Sequence, residues 1–310
     1  MSPVALSIRS LHKAYADVVA IESLDLDVSA GECFGLLGPN GAGKTTTIEI
    51  CEGLTQPDSG SVELLGRHWD HHAAELRQLL GIQLQETQFS DKLTVEETVR
   101  LFRSFFRRPL GVSEVIGLVQ LDEKRRGRVG QLSGGQKQRL AMACALVGDP
   151  RFLFLDEPTT GLDPQARRQI WELVERLKAT GRTILLTTHY MDEAERLCDR
   201  IGIMDHGRII ALDTPRALIA SLGVEHLVEF GVNGRRGAID LDALCRLRGV
   251  RSARADGDLF QLHVDRIHEA MPALLGELAR LDLPLTELRT HSATLEDVFV
   301  SLTGRHLRDG

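Results

Sequence analysis

The chain lacks the features of a disulfide-rich or membrane-spanning protein. It has five cysteines, an odd number, and none of them forms a CxxC pair. We therefore expect buried thiols in a reducing compartment rather than a disulfide framework. The amino-terminal stretch MSPVALSIRSLHKAY has no long apolar core, so we expect no signal peptide. No run approaches the roughly 18 apolar residues of a membrane span, so any membrane-spanning role would need another chain.

Positive charge is also in short supply. The 310 residues carry 37 basic and 44 acidic side chains, for a formal net charge of -7. Nucleic-acid-binding domains tend to be basic, so the balance predicts that nucleic acid is not a partner. Internal repeats and low-complexity tracts are absent from the sequence. The length corresponds to about two domains.

The first two thirds of the chain alternate between strand and helix patterns. Residues 5–30 have the alternation of half-exposed antiparallel strands, and CFGLL is an apolar run typical of a buried strand. Residues 92–147 are mostly helical in pattern, with a capping box at Thr94 and Glu97. RFLFLDEP and RTILLTTH are apolar runs separated by a helical stretch. That order predicts a parallel sheet covered by helices.

The pattern changes near residue 220. We predict a domain over residues 1–220, with a helical subdomain at about 90–147, and a small α+β accessory domain over 221–310. In the second domain we expect a first strand in EHLVEFGVNG, helices at 240–247 and 266–280, and strands at 249–254, 259–264 and 284–290. A last short helix follows. This order suits a split β-α-β arrangement.

A glycine-rich loop joins CFGLL to the next helical stretch. GPNGAGKT fits the phosphate-loop pattern G-x-x-x-x-G-K-[ST]. Glycines let consecutive N–H groups turn inward, and these amides and the positive end of the helix bind polyphosphate. The lysine adds a charge for the terminal phosphates, and the threonine offers a hydroxyl to Mg²⁺. The predicted nucleotide-binding residues here are Gly38, Pro39, Asn40, Gly41, Ala42, Gly43, Lys44, Thr45 and Thr46.

Two adjacent acids follow a second apolar run, FLFLDE. A phosphate-loop enzyme needs an acid for its metal ion and a group that activates water. Asp156 is placed to hold Mg²⁺ together with Thr45, and Glu157 to orient or deprotonate the attacking water.

The stretch LSGGQ, residues 132–136, opens another helix. Its serine and glycines predict a second helix end able to bind an anion, although capping alone would explain the serine. The residues concerned are Ser133, Gly134, Gly135 and Gln136.

These motifs together resemble the ATP-binding cassette (ABC) ATPases over residues 4–220. The resemblance implies an α/β fold of the P-loop NTPase type, with a mixed parallel sheet, N-terminal antiparallel strands and a helical subdomain, followed here by the small C-terminal α+β domain. The matching motifs are Walker A (GPNGAGKTT), the signature (LSGGQ), Walker B (FLFLDE), the D-loop (TGLD, 160–163), the switch histidine His189, the Q-loop glutamine Gln85 and the adenine-stacking aromatic Tyr15.

The resemblance also implies a mechanism. Two subunits dimerise head to tail around two ATP molecules, and Ser133 and Gly135 of one subunit face the γ-phosphate held by Lys44 of the other. Asp163 couples the two sites. His189 contacts the γ-phosphate, and Gln85 senses Mg²⁺ and signals to a membrane partner. Gln83 competes with Gln85 for this role.

The stretches around the Q-loop and TLEDVFVSLTG (294–304) resemble ABC-2-type exporter ATPases of the daunorubicin-resistance type. This implies an exporter ATPase on the cytoplasmic face of the membrane, bound to a second ATPase subunit and a separate permease. The alternatives are an importer ATPase, or a soluble nucleotide-gated protein acting on ribosomes or nucleic acid.

The stretch RHWDHH (67–72) is interpreted as a polar loop rather than a metal site. KRRGR (124–128) is interpreted as a solvated helix end or loop, with anionic lipid as the alternative.

Overall fold

The computed structural model describes residues 3–84, 87–223, 226–233, 239–256 and 259–304. The chain divides into two compact units, the first reaching Pro215 and the second beginning at Arg216. This division lies five residues before the sequence-based one, since helix Pro215–Ser221 groups almost entirely with the second unit.

The first unit contains two sheets. Its strands are β1 Val4–Tyr15, β2 Val18–Ser29, β3 Cys33–Leu37, β4 Ser59–Leu64, β5 Leu80–Gln83, β6 Phe152–Asp156, β7 Thr183–Thr188, β8 Arg200–Asp205 and β9 Arg208–Asp213. Its helices are α1 Lys44–Cys51, α2 Trp69–Leu79, α3 Val95–Arg103, α4 Val112–Leu118, α5 Gly134–Leu146, α6 Pro164–Ala179 and α7 Met191–Leu197; α8 Pro215–Ser221 leads into the second unit.

The larger sheet has the strand order β5-β6-β7-β3-β8-β9. All neighbours are parallel except β9, which pairs antiparallel with β8. Every residue of β3, β6 and β7 is buried, as expected for strands of a parallel sheet with both faces covered. The second sheet, β2-β1-β4, is antiparallel.

Two elements differ from the sequence interpretation. The interpretation of the histidine-rich stretch as a polar loop is wrong, since His71 and His72 lie in α2. Leu76 is buried and the partly buried Trp69 packs against the same core, so the helix has an apolar side despite its histidines. Strand β4 begins within the turn-rich stretch TQPDSG, and the sequence pattern does not predict it because its partner β1 lies more than 40 residues away in sequence.

The second unit contains one antiparallel sheet with the order β11-β12-β10-β13. In this order β10 and β11 flank β12, which is the split β-α-β arrangement. The apolar core of this unit includes Phe230, Phe260 and Leu274. The elements are β10 His226–Val232, α9 Leu241–Cys245, β11 Val250–Asp256, β12 Leu259–Val264, α10 Ile267–Arg280, β13 Leu285–Ser292 and α11 Leu295–Thr303.

Candidate nucleotide site

The candidate site lies where three neighbouring parallel strands end. In the sheet, β6, β7 and β3 are adjacent, and Leu37 pairs with Thr188 while Asp156 pairs with Thr187. The residues that follow these ends are therefore brought to one edge, and such edges are the usual binding sites of open α/β sheets. The phosphate loop, Glu157 and His189 all follow one of these ends.

The glycine-rich loop has a backbone that only glycine accommodates easily. Gly41 and Gly43 have φ of 79° and 101°. A Cβ at Gly38 would lie 2.2 Å from the carbonyl oxygen of Met204, and one at Gly43 would lie 2.3 Å from that of Ala20. Because α1 begins after Gly43 without a side-chain cap, its first N–H groups face the loop. This loop fits a polyphosphate ligand.

Lys44 is the cation of the loop and is 5% exposed. Its Nζ donates to the carbonyl oxygens of Gly38 at 2.8 Å and Pro39 at 3.0 Å. Burial lowers the pKa of Lys44, and the charges of Glu157 and Asp156 oppose that shift. Asn40, Gly41 and Thr45 at the loop's mouth are exposed, Ala42 is buried, and Thr46 is half-buried.

Asp156 ends strand β6 and is 4% exposed. Burial raises its pKa, while the hydroxyl of Thr187, which donates to its Oδ1, and the charge of Lys44 lower it. A buried carboxylate beside a lysine suits a bound cation, because a divalent ion would compensate its charge.

Glu157 has an unusual backbone for a residue with a side chain, with φ of 46°. Such conformations cost roughly 1–3 kcal/mol and cluster at functional sites. Its N–H donates to the carbonyl oxygen of Thr187 at 3.2 Å and to the Thr187 hydroxyl at 3.0 Å, which holds the turn. The side chain is 9% exposed.

Two side chains that contact the Glu157 carboxylate favour its ionised form, and so does the charge of Lys44. His189 Nδ1 lies 3.3 Å from Oε2, and the Thr160 hydroxyl donates to the same oxygen at 3.0 Å. Contact with His189, and then that with Thr160, lowers the pKa of Glu157, although burial opposes both. The carboxylate is therefore ionised at neutral pH and able to accept a proton.

The LSGGQ stretch begins helix α5 with a capping box. Ser133 N donates to Gln136 Oε1 at 3.0 Å, and Gln136 N donates to Ser133 Oγ at 3.3 Å. Ser133 is thus a cap, the alternative foreseen for it. Gly135 packs closely, since a Cβ there would lie 2.7 Å from Ala166 Cβ, whereas Gly134 has open space around it.

The other predicted residues lie in varied surroundings. Asp163 caps α6, its Oδ1 accepting from the N–H groups of Gln165 and Ala166 at 2.9 Å each. Tyr15 is 46% exposed at the end of β1, with Lys13 Nζ 5.2 Å from its ring centroid.

Gln85 lies outside the described residues. Its competitor Gln83 ends β5, is 1% exposed and donates from Nε2 to the carbonyl oxygen of Leu84 at 2.6 Å. Gln83 Oε1 is buried and has no hydrogen-bond partner among the residues that are described.

Sequence reasoning missed two residues next to the site. Thr187 bonds both Asp156 and Glu157, and the only signal for it was a hydroxyl at the end of an apolar strand. Glu193 is fully buried in α7 and accepts from Trp171 Nε1 at 2.9 Å. Burial raises the pKa of Glu193, while Thr188, Trp171 and Thr159 lower it. Nothing in the sequence distinguishes this acid from its exposed neighbours.

Comparison with known proteins identifies the class. The family model of the ABC transporter matches residues 21–160. Among solved structures, an ATP-binding subunit of an ABC transporter has a TM-score of 0.64 and 30% identity, covering 71% of this chain and 93% of that one. A dimeric post-hydrolysis cassette bound to ADP and Pi has a TM-score of 0.62 and 25% identity, covering 67% and 98%.

Curated relatives match over the whole length. The Nod factor export ATP-binding protein I of Burkholderia orbicola is 39% identical over 316 residues, covering 100% of both chains. Its counterpart in Ralstonia nicotianae is 39% identical over 312 residues, covering 98% of this chain and 95% of that one. The chain belongs to the ATP-binding subunits of the ABC transporter family.

The predicted family and fold class are confirmed. The protein is an ATP-binding, ATP-hydrolysing subunit of an ABC exporter that couples hydrolysis to transport, and export is supported over the importer alternative. Cassettes of this family work as dimers with a membrane permease. Within the ranges that the structure describes, no helix combines the length and apolar character needed to cross a bilayer.

Proposed function

We propose that two copies of this chain close head to tail around two ATP molecules and hydrolyse them at Glu157. The observation that supports this most is the 3.3 Å contact between Glu157 Oε2 and His189 Nδ1, at the sheet edge that also carries Lys44. Lys44 would hold the terminal phosphates, and the amides of Gly41, Ala42 and Gly43 would surround them.

In this proposal, side chains of this protein orient the attacking water and accept its proton. Glu157 orients the attacking water and accepts its proton, because its lowered pKa keeps it ionised. His189 contacts the γ-phosphate and fixes the Glu157 carboxylate. Thr45 and Asp156 would hold Mg²⁺, which supplies positive charge to the phosphate oxygens when bound.

The remaining roles follow the ABC pattern. Ser133 and Gly135 of one copy would face the phosphates bound by the other copy, with Gly134 and Gln136 shaping the same turn. Asp163 would couple the two sites, and Tyr15 would stack on adenine. We propose Gln85 as the residue that senses the metal ion and signals to the permease.

We further propose that the partners are a second copy of the ATPase subunit and a separate permease, with the chain peripheral on the cytoplasmic face of the membrane. The absence of a spanning helix in the described ranges is consistent with this placement. The relatives' names refer to export of Nod factor, and the transport assay for this chain can begin with that cargo.

Substitution of the proposed base tests the mechanism. Glu157→Gln should keep ATP binding and lower turnover by about 10²–10⁴-fold, the usual contribution of a positioned general base. Phosphate release and nucleotide binding are measured on the same preparation. A variant that hydrolyses ATP at the wild-type rate would remove Glu157 from this role.

The second unit is proposed to support assembly rather than catalysis. Deletion of 221–310 should weaken association with the partners and leave nucleotide binding intact. A folded truncation that no longer binds ATP would contradict this division. A second truncation, which ends at residue 215, follows the observed boundary between the units and should give the same result.

A further inference from the structure

An open cavity of about 490 Å³ lies at the edge of the large sheet opposite the nucleotide site. Leu79 and Arg151, which precede β5 and β6, belong to its lining, so it sits at the amino-terminal ends of these strands. Its charged lining consists of four arginines and two acids: Arg67, Arg107, Arg108, Arg151, Glu75 and Asp149.

Both acids of the cavity are already paired. Glu75 Oε2 lies 2.9 Å from Arg67 Nε, and Asp149 Oδ1 lies 2.7 Å from Arg182 Nη2. The guanidinium groups of the other three lining arginines form no ion pair or hydrogen bond with any described residue. In a chain of net charge -7, this cavity therefore carries an excess of positive charge from Arg107, Arg108 and Arg151, and only Arg107 among them also acts electrostatically on the Glu75 carboxylate.

The loop that carries two of these arginines is held in place. Gln78 Nε2 donates to the carbonyl oxygen of Phe105 at 3.1 Å, and Gln78 Oε1 accepts from Arg107 N at 2.8 Å. The Phe106 ring packs so closely that a Cβ at Gly148 would lie 2.4 Å from it. The arginines are thus presented by an ordered loop, which lowers the entropic cost of binding.

Large apolar side chains are exposed in the segment that leads to Arg107. Phe105 is 61% exposed and Leu101, one helical turn before it, is 48% exposed. The planar guanidinium group of arginine can donate two parallel hydrogen bonds to phosphate oxygens. Apolar side chains next to basic ones are typical of surfaces that enter the headgroup region of a membrane. We call Phe105, Arg107, Arg108 and Arg151 the arginine surface.

We propose that the arginine surface docks on the phosphate headgroups of anionic membrane lipids. This inference rests on the peripheral placement given under Proposed function. The cytoplasmic leaflet is anionic, so its charge is complementary to this surface. The permease is the poorer candidate, because cytoplasmic loops of membrane proteins carry an excess of Lys and Arg and would repel it.

Vesicle sedimentation with the full-length chain tests the proposal. The wild type should bind vesicles of phosphatidylcholine mixed with phosphatidylglycerol, in a salt-sensitive manner, and bind phosphatidylcholine vesicles weakly. Changing Arg107, Arg108 and Arg151 to Gln should weaken binding by about a hundredfold, since each basic side chain near an anionic surface contributes about fivefold. Phe105→Ser should weaken it further.

A matched control removes the same charge elsewhere. Arg216, Arg246 and Arg248 are exposed side chains of the second unit, and their triple change to Gln should leave vesicle binding near the wild-type level. Equal loss in both triple variants would overturn the proposal, because net charge alone would then explain it. Wild-type protein that does not prefer anionic vesicles would also overturn it.

Two further readouts separate this inference from the proposed function. The Arg107, Arg108 and Arg151 variant should hydrolyse ATP at the wild-type rate and co-purify with the permease in lipid-free detergent. If it loses the permease there, the arginine surface is a permease contact and the lipid proposal fails. If the wild type binds anionic vesicles but Glu157→Gln still turns over ATP, only the proposed catalytic mechanism fails.

Discussion

The two units of the chain bury different kinds of side chain. In the ranges that the structure describes, the first unit buries six acidic or basic side chains, of which five lie in or near the candidate site (Lys44, Glu52, Asp156, Glu157 and Glu193) and one, Glu32, pairs with Arg200. Among its described residues, the second unit buries only Gln261 and Asp297 as polar side chains, under a core of Phe, Leu and Val. Buried charge costs stability, so it is retained where chemistry needs it. Substitutions in the second unit should therefore change stability and leave catalysis intact, whereas those in the first unit can change either.

The largest expected effect is a loss of activity caused by a substitution in the first unit. Lys44→Ala removes the buried cation from the phosphate loop, and hydrolysis should fall by about 10²–10³-fold, as for other groups that stabilise developing charge. Lys178→Ala, which removes a partly exposed ion pair with Asp199 outside the candidate site, should leave the rate unchanged. Steady-state phosphate release is the measurement. A Lys44→Ala protein with normal turnover would show that the buried cation of the first unit is not needed for hydrolysis.

The next effect is a loss of stability confined to the second unit. Phe230 is fully buried and stacks on Phe260 with ring centroids 5.3 Å apart. Phe230→Ala should lower the free energy of unfolding by about 3–5 kcal/mol and leave ATP affinity unchanged. Leu285→Ala, at a site 36% exposed, is the control and should cost little. If Phe230→Ala impairs nucleotide binding in a folded protein, the core of the second unit does not serve stability alone.

A smaller effect concerns a buried acid of the first unit. Burial, and then the charges of Asp156 and Glu49, raises the pKa of Glu52 from 4.5 to about 8. The unfolded carboxyl releases its proton near pH 4.5 and the folded one near 8, so stability declines as pH rises through this window. Glu52→Gln should match the wild type near pH 4.5 and be more stable above pH 8 by roughly 1–3 kcal/mol.

Denaturant unfolding at several pH values measures this effect, and Glu63→Gln, which changes an exposed acid of the same unit, is the control. If Glu52→Gln unfolds with the same pH dependence as the wild type, burial of Glu52 does not cost the first unit stability.

The smallest expected effect is the loss of stability caused by removing a helix capping box, which occurs in both units. Thr94 and Thr294 each begin a helix with a capping box, completed by Glu97 and Asp297. Each Thr→Ala substitution should cost about 1 kcal/mol of stability. Thr94→Ala should affect only the melting of the first unit and Thr294→Ala only that of the second, which calorimetry with and without ATP can separate. A cap substitution that shifts both transitions equally would indicate that the units unfold together.

The residues of the candidate nucleotide site could be proposed from the sequence because its motifs are local. The glycine loop, the acids after FLFL and the cap at Thr94 are each specified by residues close together in sequence. Burial could not be predicted in this way, since Glu193 becomes buried only when α6 packs beside α7. Strand β4 and the arginine surface also depend on segments far apart in the chain.

The central claim is that two copies clasp ATP between the loop at Lys44 and the turn at Ser133. Light scattering of Glu157→Gln tests it directly: the mass should double from 34.3 kDa when ATP is added. Adding Gly134→Glu to that protein should keep it monomeric. A side chain at this position has open space, so the protein should still fold, but its carboxylate would repel the phosphates of the ATP bound by the other copy. A Glu157→Gln protein that binds ATP and keeps a mass of 34.3 kDa would contradict the claim.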